Sequence, residues 1–179
     1  MGAPAVRTMV AAALLALSIG TGGAAAAVSP ARASTAADDA LETQVLVQLN
    51  SIRRAHDLVP LRLSRPLTAA AEVHSRSMGT YGYFQHESRD GSEFWRRVKR
   101  FYGPRSGSWS VGENLLWSTA GLDAKNAVDL WMGSAGHRKN ILTPRWREIG
   151  LSALSVAAAP GVFGGRDVVI FTTDFGTRS

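Results

Sequence analysis

The chain has 179 residues, 45% of them hydrophobic and 19% charged, with a formal net charge of +6 and no cysteine. This composition excludes an intrinsically disordered chain, and the length suits one domain with a core of its own. The missing cysteine excludes disulfide bracing and lipoprotein acylation.

The first 33 residues read differently from the rest. Arg7 precedes a continuous apolar run from Met9 to Ile19, and small residues follow, with Ala25-Ala26-Ala27 and Ala31-Arg32-Ala33 as two A-x-A sites. That order is the order of a secretory signal peptide, and the run is shorter than the roughly 20 apolar residues that span a bilayer. Residues 1–33 are therefore expected to be removed and the protein to be secreted, with cleavage after Ala27 or Ala33. Loss of Arg7 and Arg32 leaves a charge of +4. Such a domain is drawn to anionic polymers and lipid headgroups without specifying either. No nucleic-acid partner is expected, and a monomer is expected.

Residues 34–40 are small and polar and read as a disordered leader, so the folded domain is placed at 41–179. Leu41, Val45, Leu46, Leu49 and Ile52 recur at helical spacing, and Pro60 lies beyond the end of that run. Ser64, with Pro66 just inside, opens a second helix whose stripe is Leu67, Ala70, Ala71, Val73, His74 and Met78. Tyr81 to His86 is an aromatic loop, and Asp90-Gly91 a turn. A third helix, Ser92 to Tyr102, alternates Phe94, Trp95, Val98 and Phe101 with Arg96, Arg97, Lys99 and Arg100, which reads as a core face with a solvated basic back. Trp109 to Trp117 is extended, interrupted by a turn at Gly112-Glu113-Asn114. Asp123 caps a fourth helix, followed by an irregular stretch at Ile141 to Pro144. Ile149 to Ala157 and Asp167 to Phe175 form an antiparallel hairpin. Helices first and strands last give an α+β fold with helices covering a sheet.

Four histidines are present. His56 reads as an exposed helix end and His74 as a helix residue bonded locally. His86 and His137 lie past an aromatic loop and a glycine-marked break, where side chains serve function more often. Glu113 is a carboxylate that either anchors its turn or orients an imidazole. Two imidazoles and an oxygen suit Zn²⁺ with a position left for water. Sharper motifs are missing. His86-Glu87-Ser88-Arg89-Asp90 lacks the second histidine of H-E-x-x-H, and Gly133-Ser134-Ala135-Gly136 is one residue short of G-x-S-x-G. Nothing in the spacing pairs Glu93 with Glu113 as glycosidase carboxylates.

The order Leu49-Asn50-x-x-Arg53, Tyr83-Phe84-x-His86, Gly112-Glu113-Asn114, Trp131-Met132-x-Ser134-x-Gly136-His137-Arg138-x-Asn140 and Thr173-Asp174-Phe175-Gly176 resembles the bacterial branch of the CAP superfamily. This is the SCP-like extracellular domain shared by cysteine-rich secretory proteins, antigen 5 and plant pathogenesis-related proteins of class 1. The resemblance covers residues 42–176 and implies a three-layer α-β-α sandwich with a small antiparallel sheet. It also implies a cleft holding two histidines and acidic residues, able to bind Zn²⁺ or another divalent ion. By motif His86 and His137 are the metal ligands, with Glu113, Ser134, Asn114 and Arg138 in support; His86, Glu113 and His137 are the candidates should the site be catalytic. Many eukaryotic members carry a second glutamate three residues after the helix tryptophan, where this chain has Ser134, so weak metal binding is expected. No organic cofactor is expected.

Three readings follow. The chain is expected to be an envelope or extracellular binding module acting on an anionic polymer, lipid or peptide. The alternatives are a metal-assisted hydrolase of extracellular polymers, with Glu113 as general base, and a lipid carrier. Asn114 and Arg138 are alternatively read as partners of buried backbone groups.

Overall fold

In a computed structural model, which describes residues 35–179 apart from Arg105 and Ala120, the elements run α1 (Ala36–Ala55), β1 (Arg62–Leu63), α2 (Arg65–Tyr81), α3 (Phe94–Phe101), β2 (Trp109–Thr119), α4 (Ala124–Gly133), α5 (Ala135–Ile141), β3 (Glu148–Ala159) and β4 (Arg166–Arg178). The segment read as a signal peptide lies outside the described residues. Among those described, no helix is long and apolar enough to cross a membrane.

The leader is shorter than the sequence reading placed it. Helix α1 starts at Ala36 because Thr35 and Asp38 form a capping box, each side chain bonding the other's backbone N–H. Residues 36–40 are helical, and Asp38 Oδ1 also accepts from the Ser155 hydroxyl at 2.7 Å. The Gly112-Glu113-Asn114 stretch is no turn either, because β2 pairs without interruption with β4 from Trp109 to Thr119.

The sheet order is β1-β3-β4-β2, with β1 parallel to β3 and the other pairs antiparallel. Alternation along β4 divides the core. Val169, Phe171 and Phe175 join Leu41, Val45, Leu49, Ala127 and Trp131 from α1 and α4. Val168 and Ile170 join Met78 of α2 on the other face, where Leu67 and Ala70 of α2 also pack against Val98 and Tyr102. The expected α-β-α layering is what forms. Gly150 is needed where α2 meets β3, since a Cβ there would overlap the Leu67 and Thr68 backbone. Val73, read as part of the buried stripe, is exposed instead. Ser64 takes the N-cap position of α2 without its hydroxyl bonding the helix.

Two polar side chains of α1 tie the layers together. Asn50 both donates to and accepts from the Leu61 backbone, at 3.0 and 2.7 Å, holding the segment before β1. Arg53 is fully buried and donates to the carbonyls of Val59, Ile141, Thr143 and Trp146. It thereby serves the end of α5 and the loop that enters β3.

Candidate functional site

Strand β2 lies at the edge of the sheet, and its successive side chains point to opposite faces. Glu113 points toward α3 and Asn114 toward α5. Because no strand lies beyond β2 among the described residues, groups from both faces reach a common hollow around its rim. A cleft of about 440 Å³ results, lined by His86, Glu113, Asn114, Ser134, His137 and Asn140 among others. Folding thus brings together all the expected site residues except Arg138, whose side chain is exposed and does not line the cleft.

Each motif residue has a physical task. Gly112 leaves room for Asn140 and Trp146, which a Cβ would strike. Glu113 Oε1 accepts from His86 Nδ1 at 2.8 Å, while Oε2 pairs with the Arg97 guanidinium. Asn114 donates to the His137 carbonyl at 3.2 Å and accepts from Asn140 at 3.0 Å. Trp146 Nε1 in turn donates to the Asn140 carbonyl at 2.9 Å. This relay sets α5, and with it His137, against β2. Ser134 ends α4 and begins α5 in extended conformation, which makes the break between the two helices. The sequence reading missed α5, whose seven residues include Gly136.

Sequence reasoning also missed Arg97 and Asp174. Arg97 belongs to the helix whose basic residues were read as solvated, yet it is only 3% exposed. The signal was there: Phe94, Arg97, Val98 and Phe101 share one helical face. Asp174 lies directly across from Glu113 in the β2–β4 register and is fully buried. Burial, and then the Glu113 charge, push its carboxyl well above the usual carboxylate range. Asp174 thus lies beside the Glu113–Arg97 ion pair with its carboxyl shifted toward the protonated form. Its position with Val168, Ile170 and Thr172 on one strand face was likewise legible.

The two cleft histidines differ in charge tendency. The hydrogen bond that His86 donates to Glu113 raises the imidazole above its ordinary value, against the opposing effect of burial. Burial, and then the nearby His86 charge, lower His137. His74 behaves as expected, bonding the Gln85 carbonyl at 2.9 Å, and burial lowers it to about 4. His56 is an exposed helix end, as expected.

A catalytic zinc centre takes three protein ligands and keeps one open position. Among the described residues no group of three or more His, Cys, Asp or Glu side chains is arranged to hold an ion. Both oxygens of Glu113 are engaged within the protein, by His86 and by Arg97. The residues do not fit the three-ligand centre; two imidazoles are what the cleft offers.

A family model described as CAP, the cysteine-rich secretory protein family, matches residues 46–172. In Bacillus subtilis (strain 168) the chain is similar to the uncharacterized protein YkwD, with 31% identity over 112 residues, 63% of this chain and 42% of that one. It is also similar there to the uncharacterized membrane protein YlbC, with 30% identity over 110 residues, 62% of this chain and 30% of that one. The chain therefore spans less than half the length of the curated relatives it matches. A solved extracellular protein containing a SCP domain from Bacillus anthracis str. Ames superposes with a TM-score of 0.60 at 25% identity, covering 83% of this chain and 45% of that one. With the matched span taking in most of the chain, and the sandwich and histidine-lined cleft in place, this protein, cysteine-free as it is, belongs to the cysteine-rich secretory protein (CAP) family.

Proposed function

We propose that the chain is an extracellular binding module whose ligand site is the cleft between His86 and His137. The double engagement of Glu113 carries this reading. A general base needs an oxygen free to take a proton from water or substrate, and both oxygens of Glu113 are committed, to His86 and to Arg97. What faces the hollow is a mixed set of donors and acceptors: two imidazoles, the Ser134 hydroxyl, the Asn140 amide and the Lys139 ammonium. That set suits recognition of a polar or anionic ligand. The extracellular place is supported by the order of residues 1–33 and by the Bacillus anthracis neighbour described as extracellular.

His86 and His137 would hold a divalent ion weakly, with the remaining positions filled by ligand or solvent. Protons compete for His86, whose affinity for them Glu113 raises. Calorimetric titration of the purified chain with Zn²⁺ tests this. Weak uptake lost in the double variant His86→Ala, His137→Ala is expected. Cleavage of peptide, ester or glycan substrates at a rate that falls on His137→Ala would overturn the binding reading in favour of the hydrolase.

A further inference from the structure

A second and larger hollow, of about 740 Å³, lies between the end of β2 and one face of α4. Asn126, Asp129, Leu130 and Gly133 line it from the helix, and Ser118 and Leu122 from the strand and the loop after it. Ser134 lines both this groove and the histidine cleft, so the two run together.

The hydrogen-bond register shows which backbone groups face that groove. On β3, Ala153 N–H donates to Glu42 at 2.8 Å and the Ile149 carbonyl accepts from Ser64 N–H at 2.8 Å. Odd-numbered residues of β3 therefore turn away from β4. Counting across the antiparallel pairs, the even residues of β2 bond to β4, and Glu113, Leu115, Trp117 and Thr119 direct their N–H and C=O groups outward. The Leu115 carbonyl bears this out, because it accepts from Trp131 Nε1 of α4 at 3.1 Å. Beyond it, Trp117 has no outward backbone partner among the described residues.

The two edges of the sheet are treated differently. The outer edge of β3 is closed by β1 and by the Glu42 carboxylate. The edge at Leu116 to Thr119 is half-buried to exposed and carries no charge, proline or bulge, the usual devices that block strand addition. Leu130, 55% exposed, stands across from it.

We propose that this groove binds an extended peptide, which adds as a short fifth strand on the outer edge of β2 at Trp117 to Thr119. An aliphatic side chain of the peptide packs against Leu122 and Leu130. Trp131 already occupies the Leu115 carbonyl, so the added strand ends there and the peptide passes Ser134 toward His137. Unpaired N–H and C=O groups beside Leu122 and Leu130 are complementary to a peptide backbone with alternating side chains. An alkyl chain would leave those backbone groups unmet. The inference rests on the cleft being a recognition site and names the class of its ligand.

The test selects random heptapeptides displayed on phage against the full chain, then measures the enriched sequence as a synthetic peptide. Affinity is expected to fall about tenfold or more with Leu130→Asp, and likewise with Thr119→Pro, which removes an outward N–H without touching the β4 ladder. Methylating alternate backbone nitrogens of the peptide is expected to produce a similar loss, since it removes strand donors and keeps the side chains. Failure to enrich any peptide overturns the proposal, as does binding indifferent to Leu130→Asp and to methylation. Should Thr119→Pro misfold, Leu130→Asp and the methylated peptides decide. Binding lost with His137→Ala alone would seat the peptide in the cleft, overturning the groove while leaving the binding-module reading intact. Hydrolysis dependent on His137 would overturn that reading, and with it this inference, whereas loss of binding in the groove variants tests the inference alone.

Discussion

Replacing Arg97 by methionine isolates the ion pair beneath the cleft. The Glu113 side chain is fully buried, and the carboxyl of Asp174 lies across from it. Without Arg97, Glu113 loses its guanidinium partner and keeps the hydrogen bond from His86. Removing one partner of a buried pair costs about 3–5 kcal/mol. Methionine refills much of the vacated volume and Arg97 no longer has to be desolvated, which places the loss near the lower end, at about 3 kcal/mol. For a domain of this size that is a fall of roughly 9 °C in Tm. Glu113→Gln leaves Arg97 as the buried ion without its counter-charge and should cost about 2 kcal/mol. The double variant removes both charges and should lose less than the sum of the two, with a coupling of about 2 kcal/mol. Urea unfolding of the four proteins at pH 7 closes the cycle. A loss under about 1 kcal/mol for Arg97→Met, or effects that add within about 0.5 kcal/mol, would refute the view that this pair fixes the cleft floor.

Three further outcomes follow from the geometry. Burial raises Glu42 to about 7, so the unfolded chain ionises there first and the wild type loses stability as pH rises from its ordinary value through 7. Glu42→Gln, whose carbonyl can still accept from Ala153 N–H, should match the wild type near pH 4. At pH 8 it should be more stable by about 1 kcal/mol, after discounting for its partly solvated side, as followed by thermal unfolding against pH. Gly150→Ala forces α2 off β3 at Leu67 and Thr68 and should cost about 3 kcal/mol in chemical unfolding. Arg53→Met leaves the carbonyls of Val59, Ile141, Thr143 and Trp146 without their shared donor; it should cost about 3 kcal/mol and speed amide exchange in the 141–147 segment before the rest of the domain.

Much of the architecture was written in periodicity. Four helices and the closing hairpin follow from spacings of three to four and of two, because each must bury one face. The early start of α1 was legible too, since Thr35 and Asp38 have capping-box spacing; the small residues after them hid it. Helix α5 and the two-residue β1 were not legible, being too short to show a period and held by their neighbours: α5 by the Asn114 relay, β1 by its pairing with β3.

The residues of the site were readable as types: two histidines on breaks, a carboxylate on an extended segment, an arginine and an aspartate on faces otherwise apolar. What only the tertiary structure decided is that β2 is an edge strand. That placement lets His86 from one face and His137 from the other reach one cleft, commits both oxygens of Glu113, and leaves the Trp117 backbone open. Edge or centre depends on strand order, which is settled by packing between elements distant in the chain and leaves no local signature in the residues of the strand itself.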